Sequence, residues 1–140
     1  MEIRDLLHHD DDGLLALCAL LLEMAHIDGE FSDKEAIALI DLLSEQLAQS
    51  VVRGEALLIR ARGMLRVLPD TDSLAARLRD QFSLPERGAI VGLLWEIAMA
   101  DGYVDPYERY FAYRIGTLLG VTDNEIRQEH RHATQRLRKS

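Results

Sequence analysis

Two carboxylate-bearing segments are the parts of this 140-residue chain best suited to chemistry. Asp28-Gly29 is followed by Glu35, and Asp101-Gly102 by Glu108, with the same spacing in both copies. Glu23 and Glu96 lie just upstream, late in apolar stretches, and complete a candidate metal set of Asp28, Glu35, Asp101, Glu108, Glu23 and Glu96. Carboxylate oxygens are hard donors, so several brought together would take calcium, magnesium or manganese rather than a thiophilic metal. Each residue also has a purely structural reading. Asp beside Gly is a common helix-ending turn. Glu at the third helical position reaches back to the cap N–H and is favoured by the helix dipole. Glu23 and Glu96 suit the solvated edge of a helix. The second copy strains the capping explanation, because its cap residue is Asp105. Two carboxylates in one box raise a carboxyl pKa unless a cation intervenes.

The spacing is half of an EF-hand calcium loop, and the other half fails. The first two oxygen-ligand positions hold Met24 and His26 in one copy, and Ile97 and Met99 in the other. Calcium takes about six to eight oxygens, so one loop alone is insufficient and a site would have to pool both. His8 and His9 beside Asp10, Asp11 and Asp12 could chelate a transition metal, but they also read as a chain terminus with an N-cap. Cys18, the single cysteine, lies inside an apolar run and reads as an inert buried thiol. There is no Gly-rich phosphate loop, nucleophile elbow or paired metal-histidine motif. Acids without a nucleophile or positioned base define no reaction class, so the chain is read as non-enzymatic.

The elements that position these residues are helices. Apolar residues return every three or four places through nearly the whole sequence, and strand-like alternation is scarce. A first helix is predicted from about 12 to 27, with the acidic cluster at its start. Ser32-Asp33-Lys34-Glu35 reads as a capping box for a second, and a third runs from about 50 to 68, before Pro69. After the break at 69–73 come a short helix from about 73 to 81 and a capped one, Ser83-Leu84-Pro85-Glu86, to about 100. Asp105-Pro106 starts the next, Gly120 ends it, and Thr122-Asp123-Asn124-Glu125 caps the last. The expectation is one all-α domain over 1–140, with about seven helices.

A shift of 73 places, from 28 to 101, superposes Glu23 on Glu96, Ala25 on Ala98, Asp28 on Asp101, Gly29 on Gly102 and Glu35 on Glu108. The internal repeat covers roughly 12–68 and 84–138. The first helix of each half is apolar nearly all round, as a helix packed on every side must be. These two helices are expected to cross at a pseudo-two-fold axis and form one shared core. Such an axis could also bring the two acidic turns together.

Around Ala98-Met99-Ala100-Asp101-Gly102-Tyr103-Val104-Asp105-Pro106-Tyr107-Glu108, and again at Leu118-Leu119-Gly120-Val121-Thr122-Asp123-Asn124-Glu125-Ile126, the chain resembles the tellurite-resistance B (TerB) family. The family includes the TerB-like domains that precede the J-domain in some membrane-anchored co-chaperones. The likeness spans most of 14–128 and implies an all-α fold with an acidic, divalent-metal-binding patch. It also implies a role in bacterial stress systems of the tellurite-resistance type. Ile27 departs from the pattern, being bulky where small or polar residues precede the Asp, and Glu23 and Glu96 lie outside the family motif. No His-Pro-Asp tripeptide is present, so the J-domain's own activity is not implied.

Composition sets the remaining bounds. Sixteen Lys and Arg against twenty-four Asp and Glu give a net charge of −8, which disfavours a general nucleic-acid binder. The longest apolar run, 14–22, is too short for a membrane span of about 20 residues. The first residues lack a basic start and a small-residue cleavage site, so a cytoplasmic protein is expected. Arg127, Arg131, Arg136, Arg138 and Lys139, with His130 and His132, make the last helix basic. That either complements the helix's negative end or docks an acidic protein partner or an anionic membrane surface. The alternative to a metal module is thus a metal-free adaptor using its acidic face or this helix. The aromatic group around Tyr103, Tyr107, Tyr110, Phe111 and Tyr113 reads mostly as packing material, with Tyr103 and Tyr107 candidates for exposure.

Overall fold

The computed structural model describes residues 11–25, 71–99, 104 and 106–139, together with helical positions 56, 59–61, 63 and 66. Five helices are delimited: α1 (Asp11–Ala25), α2 (Thr71–Gln81), α3 (Leu84–Ala98), α4 (Pro106–Leu118) and α5 (Asp123–Lys139). No strand occurs among the described residues, and the fold is all-α as the periodicity requires. The segment expected to form the second helix of the first half, with Glu35, lies outside the described residues, as does most of the segment expected to form the third.

Local chemistry sets the helix ends. Ser83 stands extended at φ −70° and ψ 165° as the N-cap of α3. Its Oγ accepts from the Glu86 N–H at 3.4 Å, while Glu86 Oε1 accepts from the Ser83 N–H at 2.8 Å. This is the expected capping box, with Pro85 in the first turn, where its missing N–H has no partner to lose. Gly120 closes α4 at φ +80°, a conformation that strains any residue with a Cβ. Its N–H donates to Thr117 O and the Val121 N–H to Gly116 O, the paired bonds of a Schellman ending. Thr122 then caps α5, its Oγ1 accepting from the Glu125 N–H at 3.2 Å. The α2 helix begins at Thr71, two residues before the expected Ser73.

The core is built on α1 and α3. Every residue from Leu15 to Leu22 is buried, and so is every residue from Ala89 to Trp95. These helices are apolar on all sides because they are packed on all sides: α3 lies against each of the other four, and α1 against α2, α3 and α4. Trp95, fully buried, ties α3 to its neighbours. Its Nε1–H donates to Ile126 O of α5 at 3.2 Å, His130 stacks on its face at 4.2 Å, and Tyr113 of α4 meets it edge-on at 5.9 Å. Arg87 of α3 donates from Nη1 to Leu119 O at 2.6 Å, satisfying a carbonyl at the end of α4.

Candidate functional site

Glu23 and Glu96 hold matching places in the two central helices. Each is the one residue not fully buried in its stretch, Leu15–Met24 in α1 and Ala89–Ala98 in α3. Neither is the solvated helix edge that the bland reading expects. Each is tied to a segment some forty or more residues further along the chain.

For Glu96 the tie is ionic. Arg136 Nε of α5 donates to Glu96 Oε1 at 2.5 Å, and the Glu96 side chain is only 11% exposed. The bond is charge-assisted, with the carboxylate shielded and the guanidinium, 42% exposed, still open to solvent on one side. The guanidinium continues across Gly92, one turn earlier on α3. A Cβ at that position would lie 3.2 Å from Arg136 Nη2 and 2.7 Å from Glu129 Oε2. Gly92 therefore gives passage to both α5 side chains, and Arg136 lies between two carboxylates. Burial raises the pKa of Glu129, and the charges of His132 and Arg136 work against that rise.

For Glu23 the tie is a neutral hydroxyl. Thr71 Oγ1, at the first position of α2, donates to Glu23 Oε1 at 2.7 Å. The second oxygen, Oε2, is buried with no hydrogen-bond partner. A buried acceptor left unmatched costs about 1–3 kcal/mol, and more when charged. Glu23 Oε2 is thus an oxygen donor that a cation would satisfy.

Glu108 is the third described member of the candidate set. It occupies the third position of α4, after Pro106 and Tyr107, and is buried at 5% exposure. It is the buried charged side chain among the described residues. Asp28, Glu35 and Asp101, like the cap Asp105, lie outside the described residues. Among those described, no group of three or more His, Cys, Asp or Glu side chains is close enough to hold a metal ion. Glu23, Glu96 and Glu108 do not make a cluster by themselves, and a complete site needs the acidic turns.

Two further expectations can be placed. Cys18 is fully buried and its thiol is pushed up to about 12, so it stays protonated at neutral pH and is no nucleophile. Tyr107 is exposed, as expected, but Tyr110 is exposed almost equally, whereas Phe111 packs in the core. A cleft of about 340 Å³ between the start of α3 and α5 is lined by Leu84, Gly88, Glu125 and Glu129, among others.

A family model described as tellurite resistance protein TerB matches residues 14–131. The chain belongs to the TerB family. The match spans α1 to α4 and about half of α5, so the helices carrying Glu23, Glu96 and Glu108 all belong to the TerB domain. No curated protein and no solved structure matches the chain. TerB is not a known enzymatic family. The family describes a tellurite-resistance-type domain, and no described helix of this TerB protein is long and apolar enough to cross a membrane.

Thr71, Arg136 and Glu129 are the members of these networks that sequence reasoning missed as site residues. The repeat singles out Glu23 and Glu96 but carries no trace of their partners, which lie 48 and 40 positions away. Arg136 was visible only as one of several basic residues on the last helix.

Proposed function

We propose that this TerB domain is a non-enzymatic, divalent-metal-binding module of a bacterial, cytoplasmic stress system of the tellurite-resistance type. Glu23, Asp28 and Glu35 of the first copy and Glu96, Asp101 and Glu108 of the second would supply the oxygens. The reading is carried by Glu23 Oε2, a buried carboxylate oxygen without a partner on the helix that leads to the first acidic turn. Calcium, magnesium or manganese would satisfy such an oxygen; a soft metal would gain little from it. Bound metal would link the two acidic turns and change the stability or shape of the domain, which a partner could then sense.

Calorimetric and thermal-melt titration with each of the three cations tests this. A cation that binds only the folded state raises the melting temperature with concentration. Glu23→Gln and an Asp28→Asn/Asp101→Asn double variant should each lose that rise while folding without metal, because Gln keeps an acceptor for Thr71 and replaces the unpartnered oxygen by an amide nitrogen that cannot ligate. No heat and no thermal shift with any of the three cations, or an undiminished shift in both variants, would reject the site.

A further inference from the structure

The arginines of the last helix divide into two groups. Arg136 is engaged by Glu96 on α3. Arg127, Arg131 and Arg138 are exposed, and no ion pair joins them to a described residue. At 3.6 residues per turn these three positions fall within about 40° of one another, on one stripe of α5. Of the acidic residues of the helix, Glu125 and Glu129 are on another side, where they line the cleft against α3, while Asp123 stands one turn before Arg127 at the start of the stripe. Arg109 of α4 adds a further exposed guanidinium beside this region, close enough to help lower the pKa of His130. His130 itself is stacked on Trp95 and belongs to the packing of the helix.

We infer that the Arg127–Arg131–Arg138 stripe is a docking surface for an extended acidic segment of a partner protein. Guanidinium groups grip carboxylates with two parallel bonds, which makes an arginine stripe a reader of carboxylates as well as a charge. Positions 127 and 131 are about 6 Å apart along the helix. Alternate side chains of an extended strand recur every ~6.6 Å, so a segment with acidic residues at every second place can engage neighbouring arginines. On the apolar side of α5, Ile126 and Ala133 are buried in the core and only Leu137, near the helix end, is an exposed large hydrophobic, too little apolar area to hold the helix in a bilayer. A chain of net charge −8 also repels a large polyanion. A single short strand, by contrast, can stay within one Debye length, about 8 Å, of the stripe. Those two facts favour a peptide over a lipid surface or a nucleic acid. The inference does not depend on a bound cation.

The test is fluorescence anisotropy of the full chain, without added metal, against a labelled peptide of alternating Glu and Ser. Binding should appear at low salt and weaken as salt rises. An Arg127→Glu/Arg131→Glu/Arg138→Glu variant should bind about tenfold more weakly or worse. An Arg60→Glu/Arg77→Glu/Arg79→Glu variant makes the same change in net charge at other exposed positions and should bind like the parent. All three results together support the stripe. No binding by the parent, or an equal loss in both variants, overturns it. So does capture by phosphatidylglycerol vesicles that displaces the peptide, because the ligand would then be a membrane. Melting curves of both variants establish that they are folded.

Discussion

At position 130 an imidazole lies nearly parallel to the indole of Trp95, with interplanar angle 21°. Burial, and then the nearby guanidinium of Arg109, disfavour the charged form, so the pKa of His130 is lowered from its ordinary 6.5. Between the folded and unfolded pKa values the unfolded chain binds more protons. Stability from this group is therefore complete above about 6.5, falls as the pH drops through that value, and levels off below the folded pKa. The denaturation midpoint should decrease from pH 7.5 to pH 5.5. His130→Phe keeps an aromatic ring on Trp95 but cannot take a proton, and its midpoint should decrease less over the same interval. Parallel pH profiles for parent and variant would show that His130 is not responsible. Glu129 acts in the opposite sense. Its pKa is raised, first by burial, so the stability it contributes is present at low pH and is lost as the pH rises through its folded pKa. Comparing parent with variant cancels that contribution and isolates the imidazole. Neither shift was legible from the sequence, where His130 is one of several charged or basic neighbours on a polar helix. Only the packing of α5 on α3 sets it apart.

Helix contacts turn on small residues in a way that side-chain periodicity alone does not reveal. Gly116 lies on α4 where α5 crosses it, and a Cβ there would fall 2.6 Å from Ile126 Cδ1 and 2.8 Å from its Cγ1. Ile126 is fully buried, so it has little room to yield. Overpacking costs about 1–3 kcal/mol, against roughly 1 kcal/mol gained when Ala replaces Gly within a helix. Gly88, on α3, has nothing within 4 Å of the same added atom. Urea midpoints should therefore rank Gly88→Ala above the parent and Gly116→Ala below it. A Gly116→Ala variant as stable as the parent would mean that α4 and α5 are not packed this closely. The ends of these helices, by contrast, are written locally. Ser83 and Glu86, Pro106, Gly120 and Thr122 each act within a few residues, and each terminus they mark is found in the structure. The start of α2 lies two residues before Ser73, and the Thr71 hydroxyl there is directed to Glu23, 48 positions away, rather than to its own helix. The same distance dependence governs the candidate site. Repetition marks Glu23 and Glu96 in the sequence, while the partners that restrain them follow from how distant helices pack.

On the scale of the whole molecule, α1 and α3 form the centre against which the other described helices rest. That much was legible, because a helix apolar on every side has no stable place except between others. Cys18 reports on whether this centre opens as a unit. It is fully buried in α1, beside Leu17 and Ala19, and burial pushes its thiol up to about 12. The thiolate is the reactive form, so the folded protein is protected twice, by exclusion of the reagent and by suppression of ionisation. Exposing the sulfur means separating α1 from α2, α3 and α4, the contacts that tie α1 into the described core. Such an opening is expected to have nearly the free energy of global unfolding, not that of a fraying end. Alkylation of Cys18 by iodoacetamide at pH 8 should be negligible over a period that fully modifies the urea-unfolded chain. With rising urea its extent should follow the loss of helical circular dichroism. A cation that stabilises the fold should slow labelling in the same proportion as it shifts the unfolding equilibrium, provided opening and closing are fast relative to alkylation. Rapid modification in buffer with the helical signal intact would show α1 leaving the others on its own, and α1 would then be a separately opening element, not part of one cooperative core.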